Sequence, residues 1–123
     1  MNAQPTIRYA LPSDAAAILQ LIAAAKLPYQ DLSDLAARLS GGLLGAVAES
    51  EGSLVGCAIV EPYGTAGLLR SVAVDAAWRR QGLGERIVDC AAGAALEAGL
   101  EDLVLLTETA APFFGRLGFA SVA

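Results

Sequence analysis

Histidine is absent from this sequence, and only two cysteines, Cys57 and Cys90, occur. Without histidine, Ser-His-Asp and Cys-His nucleophile systems are excluded. Two cysteines far apart, with no CxxC, leave little from which to build a zinc site, so no metal is expected. Both thiols are expected to be reduced and packed. Basic residues are also scarce: eight Lys and Arg stand against thirteen Asp and Glu, a net charge of −5. Phosphate backbones demand clustered Lys and Arg, so no nucleic-acid partner is expected. No apolar run approaches the roughly 18 residues that cross a bilayer. The start, Met1-Asn2-Ala3-Gln4-Pro5, lacks a basic segment followed by an apolar one. The expectations are a cytoplasmic location and no membrane partner.

What is present fits one α/β domain over residues 1–123. Hydrophobic residues make up 55 %, above the roughly 45–50 % usual for soluble domains, and much of the excess is alanine, which lets helices pack closely. Thr6 to Ala10 reads as a strand. Pro12-Ser13-Asp14 supplies helix-start chemistry, and Ala15, Ile18, Leu19 and Ile22 follow on one helical face. Pro28 stops that helix. Asp31 or Ser33 caps a second, which Gly41-Gly42 ends. Leu43–Ser50 and Leu54–Glu61 are β-rich runs around a Glu51-Gly52 hairpin turn. A loop with Pro62, Gly64 and Gly67 leads to a third run, Leu68–Asp75. A long alanine-rich helix covers about Gly82 to Ala98, with Gly99 at its end. Leu103–Thr107 reads as a short strand and Ala110–Leu117 as a last helix. Gly118-Phe119 begins another extended piece, and the order β-α-α-β-β-β-α-β-α-(β) predicts a mixed sheet, antiparallel first and parallel at the crossover.

Three of the eight basic residues, Arg70, Arg79 and Arg80, fall close together in an otherwise acidic chain. Two of them open the stretch Arg79-Arg80-Gln81-Gly82-Leu83-Gly84, which follows an apolar strand and begins a helix. A helix start carries unpaired N–H groups and partial positive charge. Glycine lets a ligand approach the backbone. The combination is a diphosphate cradle in physical terms. It is neither a Walker A loop, since no Gly-Lys-Ser/Thr follows, nor the GxGxxG dinucleotide fingerprint, since Ile87 stands where the third glycine belongs.

Arg79, Gly82 and Gly84, the strand Ser71–Asp75, and the tail Phe113-Phe114-Gly115-Arg116-Leu117-Gly118-Phe119 together resemble the GNAT superfamily of acetyl-CoA-dependent N-acyltransferases. The resemblance runs from about Thr6 to Phe119. It implies acetyl-CoA as cosubstrate, a GNAT fold with a splayed strand pair, and acetylation of a small-molecule amine by direct attack in a ternary complex. It implies that main-chain groups of Val72, Ala73 and Val74 hold the pantetheine arm. Arg79, Arg80, Gln81, Gly82, Leu83, Gly84 and Glu85 would hold the diphosphate, with Thr107 and Phe114 completing the cofactor side. The Val74 N–H would be the oxyanion donor. Leu68–Val74, Leu105-Leu106-Thr107 and Phe113-Phe114 resemble more narrowly the arsenic-resistance type of GNAT N-acetyltransferase, whose relatives acetylate amino-acid-like toxins.

The sequence departs from the family pattern at the acid and base. Phe114 stands where many relatives carry a proton-donating tyrosine, and Leu68 where others carry a glutamate. Glu61 and then Glu108 are the candidate bases, with a water chain as the alternative. Arg70, charged within an apolar strand and facing opposite to Ser71, either pairs with Glu61 or binds a substrate oxyanion in bidentate fashion. Ser71 and Tyr63 are expected at the same acceptor pocket. Trp78 is placed under the turn. Family members usually add a C-terminal hairpin after Gly-Phe. In this sequence it is expected to be truncated or supplied by a partner, which leaves a homodimer open. Two other classes, a non-catalytic acyl-CoA-binding module and a protein acetyltransferase, remain as alternatives.

Overall fold

The computed structural model describes residues 4–28 and 30–105. A two-residue turn with both residues at positive φ, Glu51 (52°) and Gly52 (83°), joins β2 (Leu44–Ser50) to β3 (Ser53–Tyr63). That geometry matches the right-handed twist of antiparallel strands. β3 then pairs antiparallel with β4 (Ala66–Val74), and β1 (Thr6–Tyr9) pairs antiparallel with β2. β5 (Asp102–Val104) adds in parallel beside β4, giving the order β1-β2-β3-β4-β5. The expected mixed sheet is therefore present, with the parallel pair at one end of the described strands.

Helices cover both faces. α3 (Leu83–Glu97) turns Leu83, Ile87, Val88, Ala91, Ala94 and Ala95 inward, onto Ala46, Ala58, Val60 and Leu69 of the sheet. Small residues on both sides bring the helix close to the strands. On the opposite face, Ile18 and Ile22 of α1 (Ala15–Ala24) and Leu35 of α2 (Leu35–Ser40) pack on Val47, Cys57, Ile59 and Ala73. β3 feeds both cores, and Val55 to Glu61 is buried without a break. Two-sided burial explains why this run reads as continuously apolar rather than alternating. No helix of the described residues is long and apolar enough to cross a membrane.

Three boundaries differ from the sequence reading. β3 passes through Pro62 to Tyr63 and turns at Gly64-Thr65, so the expected loop is a tight hairpin. α1 ends at Ala24, before Pro28, and Lys26 takes φ 60°. Asp34, not Asp31 or Ser33, is the residue before α2; Asp31 sits in a short 3-10 turn, Gln30–Leu32, and its carboxylate is engaged elsewhere. The last helix, Ala110–Leu117, lies outside the described residues.

Candidate acyl-transfer site

β4 positions the site. Its register against β3 slips between Cys57 and Ile59, so that Cys57 faces Ala73 while Ile59 faces Arg70. The extra residue is accommodated by Ser71 at φ 58°, a left-handed conformation uncommon for a residue with a side chain. The bulge resets the alternation of side chains. Leu69, Val72 and Val74 contact the α3 core, and Ala73 contacts the other. Strict alternation puts Arg70 and Ser71 on opposite faces; the bulge instead brings the Arg70 Nε–H onto Ser71 Oγ at 3.1 Å.

Past the bulge, Asp75 donates its N–H to the Val55 carbonyl at 2.8 Å. In an antiparallel ladder, the preceding residue's N–H then points away from β3. That residue is Val74, and on its free side β4 neighbours β5. The β4–β5 pairing ends at Leu68↔Val104, although β4 runs on to Val74. Among the described residues, the main chain from Leu69 to Val74 has no strand partner on its β5 side. Of the expected second strand, Leu103–Thr107, Leu103 and Val104 lie in β5. Thr107, Glu108 and Phe114 lie outside the described residues.

The strand leads straight into the cradle. The Asp75 carboxylate accepts from the Ala77 N–H at 2.9 Å and holds the tight turn Ala76–Trp78. Trp78 packs against the α3 core beneath this turn, as expected. The Arg79 Nε–H donates to the Val74 carbonyl at 3.1 Å, and the Gln81 amide to the Ala77 carbonyl at 3.3 Å. These two side chains hold the loop from within. Arg80 (φ 64°) and Gly82 (φ 77°) both take the left-handed conformation and curl the chain around the helix start. Gly82 precedes α3 and provides no side-chain cap, so the first-turn amides have no acceptor within the helix. A Cβ on Gly82 would meet nothing within 4 Å, so the space before the helix start is open among the described residues. Arg80, Gln81, Gly82 and Glu85 are exposed, Gly84 is half-buried, and Leu83 anchors the start in the core. An exposed, uncapped helix start with two left-handed residues fits a diphosphate.

On the α1/α2 side of β4 lies a charge cluster. The Arg70 guanidinium forks onto the Asp31 carboxylate, at 2.6 and 3.0 Å, and also donates to Glu61 Oε1 at 2.7 Å. Glu61 Oε2 accepts from Arg38 at 2.9 Å and from the Tyr63 hydroxyl at 3.3 Å. Glu61 is 8 % exposed. Burial pushes its pKa up, but the hydrogen bonds from Arg70 and Arg38 outweigh burial and hold the carboxyl below its ordinary value. It is an ionised anchor and a weak proton acceptor, which counts against the expected role as base. An open cleft of about 500 Å³ adjoins it, lined by Arg38, Gly41, Gly42, Leu43, Glu61, Pro62 and Tyr63. Elsewhere, burial pushes the Cys57 thiol up to about 12, which makes it inert as a nucleophile.

The structure brings Arg70, Ser71, Glu61 and Tyr63 together; Arg70 pairs with Glu61, one of its two expected partners, whereas Ser71, expected to face opposite to Arg70, is brought onto it by the bulge. Asp31 and Arg38 were missed. Asp31 reads locally as a helix cap, and Arg38 is a lone arginine in a short helix. Neither carries a sequence signal for a cluster assembled from three separate elements.

A family model described as "Acetyltransferase (GNAT) domain" matches residues 43–121. Among solved structures, N-acetylglutamate synthase from Neisseria gonorrhoeae, complexed with coenzyme A and L-arginine, superposes with a TM-score of 0.82 at 25 % identity. The match covers 98 % of this chain and 28 % of that one, so the chain spans little more than a quarter of the synthase. Rv2747 from Mycobacterium tuberculosis, in complex with CoA, gives 0.77 at 29 % identity over 97 % of this chain and 74 % of that one. Glucosamine-6-phosphate N-acetyltransferase from Arabidopsis thaliana gives 0.75 at 20 % identity, over 98 % and 95 % of the two chains, and shares the fold.

Proposed function

The chain belongs to the GNAT family of acetyltransferases, enzymes that draw their acetyl group from acetyl-CoA, and on that premise we propose that it acetylates the primary amine of a small molecule by direct attack in a ternary complex. The observation that carries this reading is the continuity of β4 with the helix start. The Val74 N–H is turned away from β3, to the β5 side of the sheet, and within eight residues the chain reaches the uncapped amides at Gly82. One strand-turn-helix unit can thus hold both an amide-bearing arm and the diphosphate attached to it.

Acetyl-CoA supplies the activated acetyl thioester. In this reading Val72, Ala73 and Val74 offer main-chain groups to the extended arm, and the Val74 N–H stabilises the oxyanion of the tetrahedral intermediate. Arg79 and Gln81 fix the loop, while Arg80 and the amides from Gly82 to Glu85 face the diphosphate. The acceptor enters from the cluster of Arg70, Ser71, Glu61 and Tyr63. Glu61 orients this end as an anion, and the amine's proton leaves through water. The inert Cys57 thiol and the absence of histidine support direct attack over a covalent acyl-enzyme. A cytoplasmic site of action and a detoxification substrate resembling an amino acid are the specific form of the proposal, carried by the arsenic-resistance resemblance.

The test is thiol release from acetyl-CoA with a broad amine panel, alongside intact mass of the enzyme without amine. The expected result is amine-dependent turnover with no acetylated protein. Acetylated enzyme overturns direct attack. Tight coenzyme binding with no turnover on any amine supports a binding module instead.

A further inference from the structure

The two carboxylates on Arg70 are not equivalent. Glu61 sits on the central strand, buried, and is held by Arg70, Arg38 and Tyr63 together. Asp31 lies on the connector between α1 and α2, and its side chain is 58 % exposed against 19 % for Arg70 and 11 % for Glu61. Asp31 takes the bidentate face of the guanidinium, the geometry in which arginine recognises a free carboxylate. Asp31 is the solvent-facing partner of the pair, so this is the contact that an anion arriving from solvent can replace.

Charge balance points the same way. Arg38, Arg70, Glu61 and Asp31 sum to zero, and withdrawing the Asp31 carboxylate leaves a single positive charge, which one monoanion matches. The guanidinium left open belongs to β4, four positions before Val74, and shares Glu61 with the cleft residues Arg38 and Tyr63.

We infer that Asp31 is an internal stand-in for the acceptor: the amine substrate carries a carboxylate that displaces Asp31 from the Arg70 fork, and Asp31 sets the preference for acidic over neutral acceptors. This rests on the acetyl-transfer reading above. The exchange involves the Asp31 side chain alone, since buried Leu32 and the Arg38 hydrogen bond to the Asp31 carbonyl hold its main chain in place. No bond is made or broken beyond the exchange of one ion pair for another.

The test compares the wild type with Asp31→Ala and Asp31→Asn. An exposed position on a connector makes both variants foldable, and a thermal melt checks this. By calorimetry on CoA-loaded protein, N-acetylglycine and N-acetylglycinamide differ only in the carboxylate. A tethered competitor acts at an effective concentration on the order of mM, so its removal is expected to tighten the acid by about tenfold or more and leave the amide unchanged. Equal gains for both probes, equal affinity of the acid for all three proteins, or no binding of the acid to any of them overturns the inference. A parallel assay follows KM for each L-amino acid and its carboxamide. A lower KM for the acids alone agrees, and a rise for acids and amides together shows that Asp31 only shapes the site. Failure of acetyl transfer as such reads differently: no thiol release with any amine, while acid binding still depends on Asp31.

Discussion

Arg70 and Ser71 are consecutive in β4, yet the side chain of one donates to that of the other at 3.1 Å. A regular strand forbids this, because neighbours point to opposite faces. The left-handed Ser71 makes it possible, and the same bulge sends Val72 and Val74 toward α3 and Arg70 toward Asp31 and Glu61.

The bulge should therefore respond to backbone chemistry before side-chain chemistry. Ser71→Gly is expected to keep stability, since glycine adopts positive φ freely. Ser71→Val places a β-branched residue at positive φ and is expected to lose about 1–3 kcal/mol. Urea unfolding of the two variants checks the ordering, and a Val variant as stable as the Gly variant would contradict it.

Gly82 should matter to the ligand more than to the fold. Gly82→Ala puts a Cβ at φ 77° and is expected to cost about 1–2 kcal/mol of stability. Gly82→Glu adds a carboxylate in the space before the helix start and is expected to abolish acetyl-CoA binding. Calorimetry decides, and unchanged affinity in the Glu variant would refute the cradle.

Glu61→Gln separates an anchor from a base. The substitution leaves Arg38 and Arg70 short of one negative charge beside a buried amide, and a loss of about 1–3 kcal/mol is expected. Ordinary Glu titrates near 4.3, and Glu61 is held below its usual value, so it stays ionised through neutral pH. The rate profile between about pH 6 and 9 is then expected to keep its shape in the variant while KM rises. A missing limb in that profile would restore Glu61 as the general base.

Acid should loosen the fold through three carboxylates. The Arg8 hydrogen bond, reinforced by the Leu11 N–H, holds Asp14 low despite its burial; Arg70 does the same for Asp31; and Arg70 with Arg38 overcomes burial at Glu61. A carboxyl lowered on folding adds stability above its unfolded pKa, about 4 for these groups. That stability is lost as pH falls through the folded values. Stability is expected to be level from neutral to about pH 5 and to fall below about pH 4. Asp14→Asn should cost about 1–3 kcal/mol at pH 7 and less at pH 3. Thermal melts across that range measure both, and an equal deficit at the two pH values would count against the Arg8–Asp14 linkage.

The turn and helix start after β4 were legible in the sequence because they are local. Arg79 to Gly84 fold against residues a few positions away: Asp75 caps Ala77, Arg79 reaches Val74, and Gln81 reaches Ala77. The hairpin at Glu51-Gly52 and the alanine face of α3 were legible for the same reason, since turn chemistry and helical period are properties of short segments. The acceptor end was not. Arg70 meets Asp31 across 39 residues and Glu61 across 9, and Arg38 meets Glu61 across 23. The one-residue bulge that aims Arg70 depends on the register between two strands. Strand register and helix docking are decided by burying both faces of β3 at once, a condition met only when the whole sheet is assembled. The sequence by itself determined that a glycine-led helix start follows β4. Only the tertiary structure decided which charges face each other beside it, and that Asp31, the most exposed of them, takes the fork of Arg70.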